Sequence, residues 1–263
     1  MTGESTGFER LALVYSQTDR ARKAARELCE RYDFVPTAEA DAVVALGGDG
    51  TMLTALHEMI DNDHILPVFG LNLGTVGFLM NRWHGAGGLP ERLAQTKRMP
   101  VAPLMMEVIT QTSEKHCAYA INEVSLLRET FQTAKLEVSV NDRVRIPELM
   151  GDGVLLSTPI GSTAYNLSAN GPILPLDSKM LALTPISPFR PRRWRGAILP
   201  ERSKVTFRVN EPAKRPVAAV ADSKEVRDVA EVHIAIARDK EMTLLFDPHQ
   251  ALDERIVAEQ FVT

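Results

Sequence analysis

The chain has 263 residues, 44% of them hydrophobic, enough to build a sizeable core and too many for a mostly disordered protein. With 30 Lys and Arg against 34 Asp and Glu, the formal net charge is −4, which argues against wrapping nucleic acid or lying on an anionic membrane. No apolar run approaches the ~20 residues of a membrane span, and the N-terminus lacks the basic-then-apolar pattern of a secretory signal. Cys29 and Cys117 lie far apart in sequence and read as structural thiols of a reducing compartment, so the expectation is a soluble, cytoplasmic protein.

In chain order, Leu11–Tyr15 predicts a strand and residues 21–32, rich in Ala, Arg, Glu and Leu, a helix. Residues 42–46 form an apolar run that reads as a buried strand, followed by Gly47-Gly48-Asp49-Gly50-Thr51 and a helical pattern ending near Asn62. Residues 65–71 predict a third strand. Strands separated by helical segments predict a parallel, doubly wound sheet with ligands outside the strands' carboxyl ends. The glycine loop lies at such an end, and so does the segment Asn72-Leu73-Gly74 with Gly77-Phe78.

After Gly85-Ala86-Gly87-Gly88 and a short helix to Lys97 the texture changes. Leu104–Thr110, 117–127, Ala134–Val140, 154–157, Val205–Val209, Val217–Ala221, 232–237 and Met242–Phe246 are short strand candidates, with Asn141-Asp142 and Asn210-Glu211-Pro212 as turns. The pattern predicts an α/β domain over 1–98, a mostly antiparallel β domain over 99–247, and a tail over 248–263, helical over 249–261, that packs back on the first domain.

Three elements carry chemistry. The 47–51 loop feeds a helix N-terminus, where free N–H groups and the helix dipole favour phosphate. The carboxylate of Asp49 in such a loop is awkward for an anion unless a cation or a proton-transfer role accounts for it, which points to phosphoryl transfer. The second element is Asn122-Glu123, side by side within the 117–127 strand candidate, where neighbours point to opposite faces. At a strand end, where the backbone bends, both could still serve one ligand, and an adjacent amide and carboxylate suit a ribose diol or an adenine edge. The third is residues 151–172, where Gly151-Asp152-Gly153 leads into a run of Ser, Thr and Gly, and Tyr165 offers a ring for stacking. The six histidines show no metal-ligand spacing, and no Gly-x-x-x-x-Gly-Lys-Ser/Thr loop occurs. On these residues alone, a lipid or sugar kinase with the same glycine loop and a dinucleotide-binding regulator without turnover both stay open.

Taken together and in this order, the three elements resemble the NAD kinase family, strongly over residues 42–172 and loosely over the β-rich remainder. The glycine loop by itself is shared with lipid kinases and phosphofructokinases; its combination with Asn122-Glu123 and Ser162-Thr163-Ala164-Tyr165-Asn166 is far more specific. The resemblance implies an α/β domain with a Rossmann-like parallel sheet joined to an antiparallel β domain, a fold also like that of diacylglycerol kinases. It implies transfer of the ATP γ-phosphoryl group to the 2′-hydroxyl of the adenosine ribose of NAD, with Mg²⁺ or another divalent cation on ATP, and it leaves polyphosphate open as a donor. Carried over by position, Asp49 is the general base, Gly47, Gly48, Gly50 and Thr51 line the phosphate path, and Phe78 packs near the adenine. Asp49 and Gly50 also border the NAD site, Asn122 and Glu123 hold the adenosine portion, and Asp152 and Tyr165 sit by the nicotinamide riboside. Thr163, Ala164, Asn166 and Ser168 complete the pocket. No protein ligand to a metal is assigned, and a homo-oligomer, dimer or tetramer, is implied.

The chain departs from the family pattern at Ser223, which follows Asp222 where a glycine is common. It also departs at Pro147-Glu148-Leu149-Met150, where a basic residue is common, and at Ile160, where a small polar residue is common. The run from Phe189 to Arg195 is unusually basic and reads as a solvated loop.

Overall fold

The computed structural model describes residues 7–75 and 77–248. The described residues divide into two compact units, one running up to Val101 and resuming at Lys240, the other spanning Ala102–Asp239.

In chain order the first unit contains β1 (Leu11–Tyr15), α1 (Asp19–Cys29), β2 (Ala42–Gly47), α2 (Asp49–Asp61), β3 (Val68–Asn72), β4 (Asn81–Arg82), α3 (Leu89–Ala94) and β5 (Lys97–Val101). The second holds β6 (Leu104–Thr110), β7 (Lys115–Ala120), β8 (Glu123–Arg128), β9 (Ala134–Val140), β10 (Arg143–Gly151), β11 (Gly153–Ser157), α4 (Tyr165–Ser168), β12 (Met180–Ile186), β13 (Ala197–Pro200), β14 (Val205–Val209), β15 (Val217–Ala221), β16 (Lys224–Val226) and β17 (Val229–Ile236). The chain then returns to the first unit as β18 (Met242–Phe246).

The first unit's sheet runs β1-β2-β3-β18-β5, with β4 beside β3. Its pairs are parallel except β18 with β5, which gives a mixed sheet with an antiparallel edge. All six residues of β2 are buried, as a strand covered on both faces must be. Apolar stripes on α1 (Ala21, Ala24, Ala25, Leu28) and on α2 (Met52, Ala55, Leu56, Met59, Ile60) supply buried cover. Gly47 and Asn72 stand opposite one another in the β2–β3 register, so the two glycine-bearing segments leave adjacent strands at the same level.

Two expectations change here. Residues 97–101 form a strand, and Met242–Phe246, placed by sequence in the β domain, belongs to the first sheet. The fully buried Asn81 stitches that return, donating to Gly70 O (3.0 Å) and Leu245 O (2.9 Å) while its Oδ1 accepts from Asp247 N (2.8 Å). The expected tail helix over 249–261 lies outside the described residues.

The second unit is a sandwich of two six-stranded antiparallel sheets, β10-β9-β14-β17-β6-β7 and β13-β12-β11-β8-β15-β16. One core joins their inner faces, with Leu104, Met106, Leu136, Val138 and Phe207 from the first sheet and Val124, Leu126, Val154, Leu156 and Leu183 from the second. The single strand expected over 117–127 is two strands, broken by a bend at Ile121-Asn122. Asn141 (φ +51°) and Asp142 (φ +60°) form the two-residue β9–β10 turn, both in the left-handed region that Asn and Asp tolerate. Both cysteines are unpaired and exposed rather than packed in the interior.

Candidate active site

In the first unit the chain passes from β2 through Gly47 and Gly48 straight into α2, with Gly48 as the N-cap. Gly47 is required by packing, because a Cβ there would stand 2.1 Å from Thr51 Oγ1. The N–H groups of Thr51 and Met52 return to Gly48 O, whereas those of Asp49 and Gly50 have no carbonyl one turn back, as at any helix start. Asp49 is the first residue of α2, where the dipole favours its negative charge.

The Asp49 carboxylate is held by the neighbouring segment: Oδ2 accepts from Phe78 N and Oδ1 from Leu79 N, each at 2.9 Å. Each oxygen keeps a further lone-pair direction, and the residue is half-buried, so the group is oriented yet reachable. The turn that presents these two N–H groups depends on Asn72 and Gly77. Asn72 Oδ1 accepts from Gly74 N (2.8 Å), and Gly77, at φ +82°, has no Cβ to strike the Asn72 side chain 2.7 Å away. Phe78 is half-buried beside this turn.

In the second unit, the Asn122-Glu123 bend is fastened from the hairpin between β15 and β16. Asp222 Oδ2 accepts from Ile121 N (2.7 Å) and its Oδ1 from Asn122 N (3.0 Å) and Glu123 N (3.2 Å). The Asn122 carbonyl accepts from Thr158 N (2.9 Å), and Gly161 lies so close that a Cβ would stand 2.2 Å from that oxygen. Glu123 Oε2 is buried with no hydrogen-bond partner. Burial, reinforced by the nearby Asp222 charge and opposed by the Tyr165 backbone N–H, pushes the Glu123 carboxyl up to about 7. The Tyr165 phenol is itself raised, first by burial and then by Glu123 and Asp152.

Asp152 sits in the turn from β10 to β11. Gly153 permits the strands to close, since its Cβ would stand 1.9 Å from Leu126 O. Asp152 pairs with Arg128 Nε at 2.5 Å and takes up the end of β8, with Arg128 N donating to Asp152 O (2.9 Å). After β11 the segment carrying Ser162, Thr163 and Ala164 makes a 3₁₀ turn into α4. Thr163 and Ala164 are half-buried and Ser168 is exposed. Asn166 is different: completely buried, it donates to Ser162 O (3.2 Å) and Pro172 O (2.8 Å) and accepts from Thr184 Oγ1 (2.7 Å). Its amide is fully used by the protein, which makes it a strut of this loop rather than an open contact.

Asp222, Arg128 and Thr184 were not singled out from sequence as site residues. Asp222 was visible only as a departure in the residue after it, and the other two carry no motif. The basic segment is also anchored: Phe189 N and Arg190 N donate to Met150 O (2.7 and 3.1 Å), and the guanidinium groups of Arg190 and Arg192 lie over the Phe189 ring.

Residues 8–83 match the family model of the ATP-NAD kinase N-terminal domain and residues 121–243 that of the ATP-NAD kinase C-terminal domain. The NAD kinase of Rhizorhabdus wittichii is 60% identical over 96% of this chain and 98% of its own length. That of Zymomonas mobilis is 58% identical over 97% and 98%. Among solved structures, yeast NADH kinase complexed with NADH matches with a TM-score of 0.81 at 21% identity, over 95% of this chain and 87% of its own. An NAD kinase from Archaeoglobus fulgidus in complex with ATP matches with a TM-score of 0.73 at 22% identity, over 95% and 98%. At those identities the structural likeness is one of fold, a mixed parallel sheet followed by antiparallel sheets. The chain belongs to the ATP-NAD kinase family, and its activity is the phosphorylation of NAD to NADP with ATP as donor.

Proposed function

We propose that Asp49 is the general base of this reaction, accepting the proton of the adenosine-ribose 2′-hydroxyl as that oxygen attacks the γ-phosphorus of ATP. The observation that carries this is the two-point grip on its carboxylate by Phe78 N and Leu79 N directly after the glycine turn. A ribose hydroxyl is a weak nucleophile, and a carboxylate already oriented loses little freedom when it takes up that proton. In the same unit, Gly47, Gly48, Gly50 and Thr51 would follow the phosphates at the N-terminus of α2, with Phe78 beside the adenine. In the second unit, Asn122 and Glu123 would hold the adenosine portion and Asp152 and Tyr165 the nicotinamide riboside. Thr163, Ala164 and Ser168 would line the same pocket, with Asn166 holding their loop in shape.

A divalent cation, Mg²⁺ first, would accompany ATP. The described residues contain no cluster of three or more His, Cys, Asp or Glu side chains able to cage a metal, so the triphosphate oxygens would carry most of its coordination. When bound there it would neutralise phosphate charge. The setting we infer is cytoplasmic and the assembly a homo-oligomer, a dimer or tetramer. The net charge of −4 accords with this setting, as do described helices that are all too short or too polar to cross a membrane.

The test is NADP formation from ATP, Mg²⁺ and NAD by wild type and Asp49→Asn. The variant should keep NAD affinity within a few-fold and lose ~10² or more in kcat, the scale of general-base loss. Near-normal kcat would remove Asp49 from the base role. Replacing ATP by polyphosphate in the same assay defines the donor range.

A further inference from the structure

The hairpin between β15 and β16 does more than turn the chain. Ala221 pairs with Lys224, which leaves Asp222 and Ser223 as its two-residue loop. Asp222 takes φ +51°, in the left-handed region, and from there its carboxylate receives three successive backbone N–H groups, those of Ile121, Asn122 and Glu123. Its own N–H donates to Glu123 O (3.2 Å). In a regular strand, successive N–H groups point to opposite sides and successive side chains to opposite faces. Three N–H groups can converge on one anion only where the backbone curls into a concave nest. The bend at Ile121-Asn122 is that curl, and it frees Asn122 and Glu123 from the alternation that would separate them.

We propose that Asp222 is a positioning residue for NAD, fixing through the backbone the bend that presents Asn122 and Glu123. The proposal rests on the reading of those two residues as NAD contacts. Several features set Asp222 apart from an ordinary turn residue. It fills the nest with a full charge, although a neutral side chain would suffice to cap a turn. That charge also faces Glu123, whose Oε2 has no partner. The other groups facing Glu123 are the Tyr165 backbone N–H and phenol from α4, with Asp152 acting on the same phenol. Since Asp222 raises the pH at which Glu123 ionises, removing its charge must lower that pH.

The experiment is steady-state kinetics of the full chain, wild type against Asp222→Asn, with NAD varied at saturating ATP from pH 5.5 to 8.5. Asp222→Asn should raise KM for NAD roughly tenfold or more, with kcat and KM for ATP within about threefold, since misplacing contacts weakens binding before chemistry. In wild type, KM for NAD should fall as pH rises through the neutral range in which Glu123 ionises; in Asp222→Asn that fall moves to lower pH. Glu123→Gln, run alongside, should abolish it. An Asp222→Asn enzyme with wild-type KM and pH profile, while Glu123→Gln is altered, overturns the proposal alone. Silence of both variants overturns the NAD reading of Asn122-Glu123 and the proposal with it. Should Asp222→Asn not fold, Asp222→Glu keeps the charge but displaces the carboxylate. It should raise KM while leaving the pH of the fall near wild type, and a wild-type KM would overturn the proposal.

Discussion

Glu123→Gln should stabilise this protein, and by an amount that depends on pH. The folded chain holds the Glu123 carboxyl at about 7 against an ordinary 4.5, chiefly by burial and secondarily by the Asp222 charge. Between those two values the folded state keeps a proton that the unfolded chain releases. Stability therefore falls as pH rises from 4.5 to 7, and the loss is complete above 7. At about 1.4 kcal/mol per pH unit the full loss is about 3 kcal/mol. Gln is nearly isosteric with the protonated acid and does not titrate, so it recovers about 3 kcal/mol at pH 8 and about 1 kcal/mol or less at pH 5. At roughly 2–4 °C per kcal/mol for a chain of this size, the thermal midpoint of the β unit should rise by about 6–12 °C at pH 8 and by no more than about 2–4 °C at pH 5. Circular dichroism melts at the two pH values read this directly. Equal shifts at both, or a loss at pH 8, would mean that the Glu123 carboxylate is charged and satisfied in the folded protein, and the reasoning would fail.

Three other perturbations follow from the same geometry. Gly171→Ala would place a Cβ 2.0 Å from Asn166 Oδ1 and 2.5 Å from Thr184 Oγ1, and should cost about 1–3 kcal/mol by overpacking while raising KM for NAD. A lowered melt with a normal KM would dissociate the 162–172 loop from binding, and a normal melt would refute the clash. Asn81→Ala strands two carbonyls and an N–H that now share one buried amide, and should cost about 3 kcal/mol or more in urea unfolding. A loss under about 1 kcal/mol would show that water replaces the amide. Asp152→Ala should raise KM for NAD, and Arg128→Gln should do the same more weakly by freeing Asp152 from its ion pair; an unchanged KM in Asp152→Ala would contradict its placement beside the dinucleotide.

How much of this could be read from sequence depended on whether burial was one-sided. The alternating runs of β6 and β9 declare themselves, because one face meets the core and the other does not. Strand β12 did not, since it is buried on both faces from Leu181 to Ile186 and carries Pro185, so its pattern has no period. Strand β10 did not either; it is an edge strand with two register shifts, mostly exposed and interrupted by Pro147. The glycine loop was legible down to Asp49, because a strand-to-helix turn is local. The non-local parts were not: β18 joins β3 from more than a hundred residues away, and nothing in Met242–Phe246 names that partner. Asp222 and Arg128 act on segments about 100 and 24 residues distant, so their roles exist only once the sheets are assembled.

Asn81 and Asn166 on one side and Glu123 on the other show two ways in which this chain buries a polar group. Asn81 and Asn166 are fully buried and fully satisfied; each spends every polar atom on backbone or hydroxyl partners, and so can only hold the fold together. Glu123 is the opposite case. It is kept partly desolvated beside another carboxylate, with one oxygen unpartnered, in an arrangement that costs stability at neutral pH. A charged carboxylate in that position adds nothing to the fold that a satisfied amide would not supply. Asp222 makes the same point from below: its left-handed backbone and three hydrogen bonds are directed at holding Asn122 and Glu123 in place rather than at the core. Stability is given up at the bend that brings an amide and a carboxylate together, and under the proposed function a bound ribose or adenine edge is the partner that would restore it.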